Sequence, residues 1–176
     1  MSRDFVIADP HFGDPNIIKF ENRPFSSVEE MNQTMIDNWN YRVDEPNDTV
    51  YVLGDFSLYE DTEKTQDILS QLNGRKILIK GNHDTLQTPI YFNMGFDLVY
   101  ENPVIINDWF ILSHEPLYIN HTSPYCNIFG HVHGNPAYNT YSARSACVSV
   151  ERHEYQPINI LYIIDNIAKL NVRKNR

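Results

Sequence analysis

The sequence predicts a single-domain α/β fold, and three observations predict it. Short apolar runs rich in β-branched and aromatic residues recur at positions 5–8, 49–53 and 76–80, which is strand composition. Segments between them carry apolar residues at the three-to-four-residue spacing of a helix with one buried face. The whole chain, at 176 residues, has the length of one unit whose core can stand without disulfides or other staples.

Residues 5–8 form the first strand and run into Asp9-Pro10-His11-Phe12-Gly13-Asp14-Pro15, where two prolines and a glycine dictate a loop. Asn16 to Phe20 make a short helical turn, broken by Asn22-Arg23-Pro24-Phe25. Ser26 or Ser27 opens the next helix, because each has a glutamate three residues later in the capping-box arrangement. Val28, Met31, Met35 and Trp39 then share one face, a core stripe rather than a cofactor box. Glu45-Pro46-Asn47-Asp48 is a turn, and the second strand, 49–53, ends in Gly54-Asp55. A helix over 62–72 turns Ile68, Leu69 and Leu72 inward and stops at Asn73-Gly74.

The third strand, 76–80, leads into Gly81-Asn82-His83-Asp84. Strand-like runs at 97–101, 104–106 and 109–112 follow, with antiparallel pairing expected among them, and the last ends in Ser113-His114. From 115 to 145 the chain is rich in Tyr, Asn, Pro and His without periodicity, so one long loop region with short ordered pieces is expected, of the kind that carries function. Residues 147–151 alternate and read as a strand. Ile160, Ile163, Ile164, Ile167 and Leu170 keep helical spacing after an Asn159 cap, which predicts a C-terminal helix.

Bulk properties exclude several classes of function. A hydrophobic content of 41% with 21% charged residues fits a soluble globular protein. No apolar run approaches the roughly 18–20 residues of a membrane span, and Met1-Ser2-Arg3-Asp4 lacks a signal-peptide core, so a cytoplasmic address and no membrane partner are expected. Cys126 and Cys147 could pair, but in a cytoplasmic chain free thiols acting as small apolar side chains are expected. The net charge of -9 argues against a broad surface for duplex DNA or anionic lipid. An anionic substrate would need local positive charge from another source, which bound metal can supply.

The strand ends hold the chemistry. Asp9 and His11 follow the first strand, Asp55 the second, Asn82, His83 and Asp84 the third, and His114 a later one. Open α/β sheets bind ligands at that edge, where loops from separate strands converge. Gly130-His131-Val132-His133 adds two imidazoles that point the same way if the segment is extended. Singly, an Asp after a strand is an ordinary helix cap and a lone His an ordinary hydrogen-bonded residue. Jointly they favour one shared site, because five of the seven histidines fall in these segments, leaving only His121 and His153.

In this pattern the chain resembles the calcineurin-like metallophosphoesterases, a superfamily that includes purple acid phosphatases, Ser/Thr protein phosphatases, cyclic-nucleotide phosphodiesterases and several nucleases. Five blocks in the family's order carry the resemblance: DxH at Asp9 and His11, GD at Gly54 and Asp55, GNHD at Gly81 to Asp84, His114, and GHxH at Gly130 to His133. It is similar above all to small bacterial and phage members that begin DxHFG, NII and NRPF, here at 9–13, 16–18 and 22–25. In that group a His often follows the first Gly and another precedes GHxH. This chain has Asp14 and Phe129 there, neither at a metal position, so the difference bears on substrate preference.

The resemblance implies a four-layer α-β-β-α sandwich of mixed sheets over residues 1–176. It also implies two metal ions, one held by Asp9, His11, Asp55 and His133, the other by Asp55, Asn82, His114 and His131, with Asp55 bridging. It implies in-line attack on phosphorus by a metal-bridging hydroxide, with His83 as proton donor to the leaving group and Asp84 orienting it. Mixed imidazole and oxygen ligands suit Mn, Fe, Zn or Ni better than Ca or Mg, with Mn foremost. Two divalent cations outweigh the two carboxylates, which leaves the centre locally positive.

Substrate contacts are less determined. Arg23 and Arg144 are the motif-flanking cations that could meet phosphate, and Tyr118 and Tyr125 could stack on a base; surface salt bridges or loop packing explain each equally well. With no extra domain to grip a polymer, a small phosphodiester such as a nucleotide is the expected substrate. A phosphomonoesterase or nuclease on the same site is the alternative. A catalytically idle protein-binding scaffold is a third, opposed by the retention of His83 and every ligand position.

Overall fold

The structure, a computed structural model, describes residues 2–139, 141–164 and 167. In chain order its first half contains β1 (Asp4–Ile7), α1 (Pro15–Phe20), α2 (Val28–Arg42), β2 (Thr49–Val52), α3 (Thr62–Gln71), β3 (Arg75–Ile79) and α4 (Thr88–Met94). The strands that follow are β4 (Leu98–Tyr100), β5 (Val104–Ile106), β6 (Phe110–Leu112), β7 (Cys126–Phe129), β8 (Ser145–Cys147) and β9 (Ile158–Asn159). They form two mixed sheets, one of order β4-β3-β2-β1-β9 and one of order β5-β6-β7-β8. In the first, β1 to β4 are parallel and β9 runs antiparallel beside β1. In the second, β5 is antiparallel to β6 while β6, β7 and β8 are parallel.

The pleat divides the core. Phe5, Ile7, Val50, Val52 and Leu78 face outward onto Met31, Met35 and Trp39 of α2 and Ile68 and Leu69 of α3. Val6, Ala8, Leu53 and Ile79 face the second sheet and meet Phe110, Leu112, Cys126 and Ile128. Alternation along buried strands therefore produces two apolar layers, one between helices and sheet and one between the sheets. On the outer face of the second sheet, Phe129 packs against Tyr138 and Tyr141 of the segment between β7 and β8, which contains the short 3-10 turn Pro136–Tyr138. The two packed mixed sheets of the expected fold are present, with helices on the outer face of the first and, among the described residues, loop and one 3-10 turn on the outer face of the second.

Local chemistry sets the element ends. Of the two candidate serines, Ser27 caps α2, its Oγ accepting the Glu30 N–H at 3.2 Å, while the Glu30 carboxylate reaches back to Ser26, accepting from its N–H at 2.7 Å and from its hydroxyl at 2.5 Å. Asp14 and Asp61 cap α1 and α3 in the same way. Gly74, at φ +78°, reverses the chain after α3 as the Asn73-Gly74 stop predicts. The helix expected after Asn159 is present over 160–164 and at Ile167, and the Asn159 side chain accepts the Leu161 N–H at 2.9 Å. Leu170 lies outside the described residues.

Several expectations change. The run at 97–101 pairs parallel with β3, and the antiparallel partners are β5 with β6. β7 lies inside the segment expected as loop, and α4 fills a stretch for which the sequence signalled nothing. The strand expected over 147–151 occupies Ser145–Cys147, after which the chain leaves the second sheet for the first. Ala8 N–H donates to Val148 O, Val150 N–H donates to Ala8 O, and Val150–Arg152 form a 3-10 turn. Both cysteines are free. Among the described residues no helix is long and apolar enough to cross a membrane.

Candidate metal centre

The ladder between β1 and β2 continues past the strand ends. Asp9 N–H donates to Gly54 O at 3.1 Å, His11 N–H to Asp55 O at 3.0 Å, and Phe12 N–H to Phe56 O at 2.9 Å. The DxH and GD loops therefore run side by side, and their side chains converge. Asp9, His11, Asp55, His131 and His133 all have positive φ, between 47° and 68°. Each such residue costs roughly 1–2 kcal/mol, and backbone strain of this kind concentrates where surroundings fix a functional geometry. Two glycines permit the approach. A Cβ on Gly54 would strike the His114 ring, and one on Gly81 would strike Asp55 Oδ1.

Seven predicted metal residues are brought together in two adjoining groups. Asp9, His11 and His133 offer ligand atoms within 4.8 Å of one another, as do Asp55, His114 and His131. Asn82 completes the second group, its Oδ1 lying 2.8 Å from His114 Nε2 and 3.0 Å from His131 Nδ1. Asp55 Oδ2 sits between the groups, 3.6 Å from His11 Nε2 and 3.5 Å from His114 Nε2.

This arrangement fits cations. Both ring nitrogens of His11 are buried without a hydrogen-bond partner, a costly state for a polar group unless something occupies it. His114 Nδ1 lies 2.9 Å from Leu53 O, an acceptor, so the proton of the neutral ring belongs on Nδ1. Its Nε2 lone pair then faces the Asn82 oxygen, and two acceptors at 2.8 Å are attracted to a shared cation rather than to each other. The same logic at His133, whose Nδ1 is 3.1 Å from Glu151 Oε1, leaves the lone pair of its unprotonated Nε2 free to meet a cation. Histidine ligands are characteristically held through the other nitrogen in this way.

Charge reinforces the picture. Burial pushes the Asp9 carboxyl above its ordinary range, opposed by His133, His114, the Ser149 hydroxyl and the His131 N–H. Asp55 comes out below its ordinary range. Burial pushes it up, but the His11 and His114 imidazoles and the His83 N–H more than offset that.

His83 is exposed, with its ring 5.4 Å from that of His11. Asp84 does not pair with it. The Asp84 carboxylate is buried and accepts N–H groups of Asp55 at 2.7 Å, Gly81 at 2.8 Å and Phe56 at 3.3 Å.

Arg23 also differs from expectation. It is only 4% exposed, and its guanidinium donates to Asp9 O and Pro10 O at 2.8 Å and to Glu151 Oε1 at 2.5 and 2.9 Å. It braces the first loop and does not face solvent. Arg144 Nε donates to His121 O, Tyr118 is 69% exposed and packs edge-on against Tyr141, and Tyr125 is half-buried. Among the described contacts none of these three meets the cluster.

Residues 149–152 supply what sequence reasoning missed. Ser149 Oγ donates to Asp9 Oδ2 at 2.5 Å, Glu151 holds His133 and Arg23, and Arg152 Nε donates to His133 O at 2.6 Å. A signal existed in the adjacency of Glu151 and Arg152 to an apolar run, but only the crossing from one sheet to the other brings them to the centre.

Two mixed sheets thus gather carboxylate, imidazole and amide side chains that could hold metal ions at their strand ends. The chain belongs to the calcineurin-like phosphoesterase family, whose sequence profile matches residues 5–149. It is 36% identical to the uncharacterized protein MJ1445 of Methanocaldococcus jannaschii, over 96% of this chain and 93% of that one. Among solved structures it is similar to the protein of unknown function AQ665 from Aquifex aeolicus, with a TM-score of 0.73 and 26% identity over 94% of this chain and 99% of that one. The Pseudomonas putida nuclease MPE shares the fold at a TM-score of 0.53 and 22% identity, over 74% of this chain and 62% of that one.

Proposed function

We propose that this phosphoesterase is a dinuclear metal-dependent phosphodiesterase acting on a small diester such as a nucleotide. Asp9, His11, Asp55 and His133 would hold one cation and Asp55, Asn82, His114 and His131 the other, with the Asp55 carboxylate shared. The donor set favours Mn, with Fe, Zn or Ni as alternatives. When bound, the pair supplies Lewis acidity at the phosphoryl oxygens and a nucleophile available near neutral pH. His83, exposed at the rim, delivers a proton to the leaving oxygen. Asp84 sets the turn that carries His83. The remainder of the reading is a cytoplasmic protein whose residues 1–176 form one phosphoesterase domain, in keeping with its free thiols.

The observation that favours a diester is the presence of cavities on the two sides of the Gly81–Asp84 turn, which borders the centre. One, of about 220 Å³, opens beside His83, and another, of about 310 Å³, opens beside Asn82 and His114. A phosphodiester presents a substituent to each side, whereas a monoester fills only one.

The test uses chelator-stripped protein resupplied with Mn, Ni, Zn or Mg and assayed on bis- and mono-p-nitrophenyl phosphate. Metal-dependent turnover with diester preference is expected. His83→Ala should retain two metals per chain and lose about 10²–10⁴-fold in turnover. Preference for the monoester would replace the diesterase reading, and absence of metal-dependent turnover on both would remove it.

A further inference from the structure

We infer that the cavity beside His83 is the leaving-group subsite, and that it accepts a small uncharged ring or sugar alcohol rather than a group bearing a second phosphate. The inference rests on the proposed role of His83 as proton donor, since the group receiving that proton must occupy the space His83 lines.

Size limits the occupant. At about 220 Å³ the cavity is smaller than the roughly 300–1,000 Å³ of pockets that enclose a whole ligand. It suits one ring or sugar, with the rest of the substrate lying over the centre and in the opposite cavity.

Its principal wall is preorganised. Tyr59 lines the cavity, and its hydroxyl accepts from Asn32 Nδ2 at 2.9 Å while Asn32 Oδ1 accepts the Gly13 N–H at 3.2 Å. The Tyr59 ring lies so close to Gly13 that a Cβ there would come within 2.7 Å of it. The loop that presents Asp9 and His11 thus also fixes an aromatic surface beside His83. A rotor locked before binding loses little entropy on contact. Leu58, Leu86 and Met94 add apolar surface.

Charge selects against a further anion. No lysine or arginine is among the lining residues, and Glu60 stands exposed at the rim. Asp84 also borders the cavity, but its oxygens face backbone N–H groups. Two cations stand behind the wall, outside the lining: Lys64 over the Tyr59 ring and Lys80 over the Tyr91 ring, each 5.5 Å from the centroid, with Lys80 Nζ donating to Leu86 O at 2.9 Å. The opposite cavity differs in having Lys80 among its lining residues.

The experiment compares two diesters that can release only a phenol, methyl p-nitrophenyl phosphate and its counterpart with 3-carboxy-4-nitrophenol as leaving group. The two phenols have similar acidity and differ by one negative charge. Wild-type protein with Mn should favour the uncharged leaving group by about 5-fold in kcat/KM, the effect of two like charges about 4 Å apart in water. Glu60→Lys, at an exposed position, should narrow the ratio to within about twofold. Saturation-transfer NMR on metal-free protein should show p-nitrophenol binding and the carboxylated phenol binding more weakly. Equal turnover of both diesters by the wild type, or a Glu60→Lys change that affects both alike, overturns the subsite while leaving the phosphodiesterase reading intact. Hydrolysis of neither diester with any metal overturns that reading and the subsite with it.

Discussion

Asp84 and Asp55 hold each other's loops. The Asp84 carboxylate accepts the Asp55 N–H at 2.7 Å, and Asp55 Oδ1 accepts the N–H of His83, the residue before Asp84, at 2.9 Å. One carboxylate thereby shapes the backbone that aims the other. Asp84→Ala would strand the N–H groups of Asp55, Phe56 and Gly81 in a buried site, at about 1–3 kcal/mol for each donor left unpaired. The expected result is a loss of at least about 3 kcal/mol in urea unfolding together with weaker metal binding by elemental analysis. If Asp84 instead acted only through His83, stability and metal content would stay unchanged.

Gly81→Ala tests the close approach from the opposite side. The new Cβ would collide with Asp55 Oδ1 and lie 2.7 Å from Asp55 N and 2.9 Å from His114 Cε1. A displacement on the order of 1 Å at a reacting centre can cost about 10²-fold in rate. We expect that loss, with fewer than two metals per chain under saturating supply.

The part of the site readable in the sequence is the part on strand ends. Asp9, Asp55 and the 81–84 turn follow apolar runs with strand composition, so their convergence could be reasoned from topology alone. Other features hide behind composition. β7 carries Asn127 in its middle, fully buried and bonded to Ser113 Oγ, Ile111 O and the Leu117 N–H, so a core strand resembles loop. α4 has seven residues, two of them aromatic, and no side-chain cap bond, so periodicity cannot reveal it. Arg23 resembles a surface cation until the chain brings Glu151, 128 positions away, to meet it. Propensity reports local preference, and these features depend on distant partners.

That Arg23–Glu151 pair makes a separate prediction. The Arg23 guanidinium is fully buried and Glu151 is 7% exposed at its side chain. Removing one partner of a buried ion pair costs about 3–5 kcal/mol, largely because the other charge is left uncompensated. Arg23→Met should lower unfolding stability by that amount, and Arg23→Met/Glu151→Met should recover much of it. The double variant should still bind metal about 10–100-fold more weakly, because His133 loses the carboxylate that orients it. A substrate-contacting Arg23 would instead raise KM without changing the unfolding midpoint.

Far from the centre, Asp48 ties the start of β1 to the turn before β2. Its buried carboxylate accepts from the Arg3 guanidinium, from the Arg3 N–H at 3.0 Å and from the Glu45 N–H at 3.4 Å. The Arg3 side chain chiefly holds this carboxyl below its usual range, against the opposing effect of burial. A folded pKa below the unfolded value, about 3.9, stabilises the fold above that value and loses this contribution as pH falls through the folded pKa. Asp48→Asn should therefore cost about 2 kcal/mol near neutral pH, as for a charged hydrogen bond. Its denaturation midpoint should approach that of the wild type below about pH 4. A gap that stays constant down to pH 2 would mean that the carboxylate charge has no part in it.

Metal removal should reach the fold itself, because the proposed ligands come from separate loops after β1, β2, β3, β6 and β7. A cation that binds only the folded state adds RT ln(1 + [L]/Kd), about 4.1 kcal/mol at a thousandfold excess over Kd. For a chain of this length each kcal/mol moves the midpoint by about 2–4 °C. Mn at that excess should thus raise Tm by about 8–16 °C for one occupied site, measured by calorimetry against chelated protein. Gly54→Ala provides the control. Its Cβ would strike the His114 ring from a backbone at φ +85°, so the metal-dependent rise should shrink even where the chelated proteins unfold at comparable temperatures. An equal rise in both would place the stabilising cation elsewhere than between Asp55 and His114.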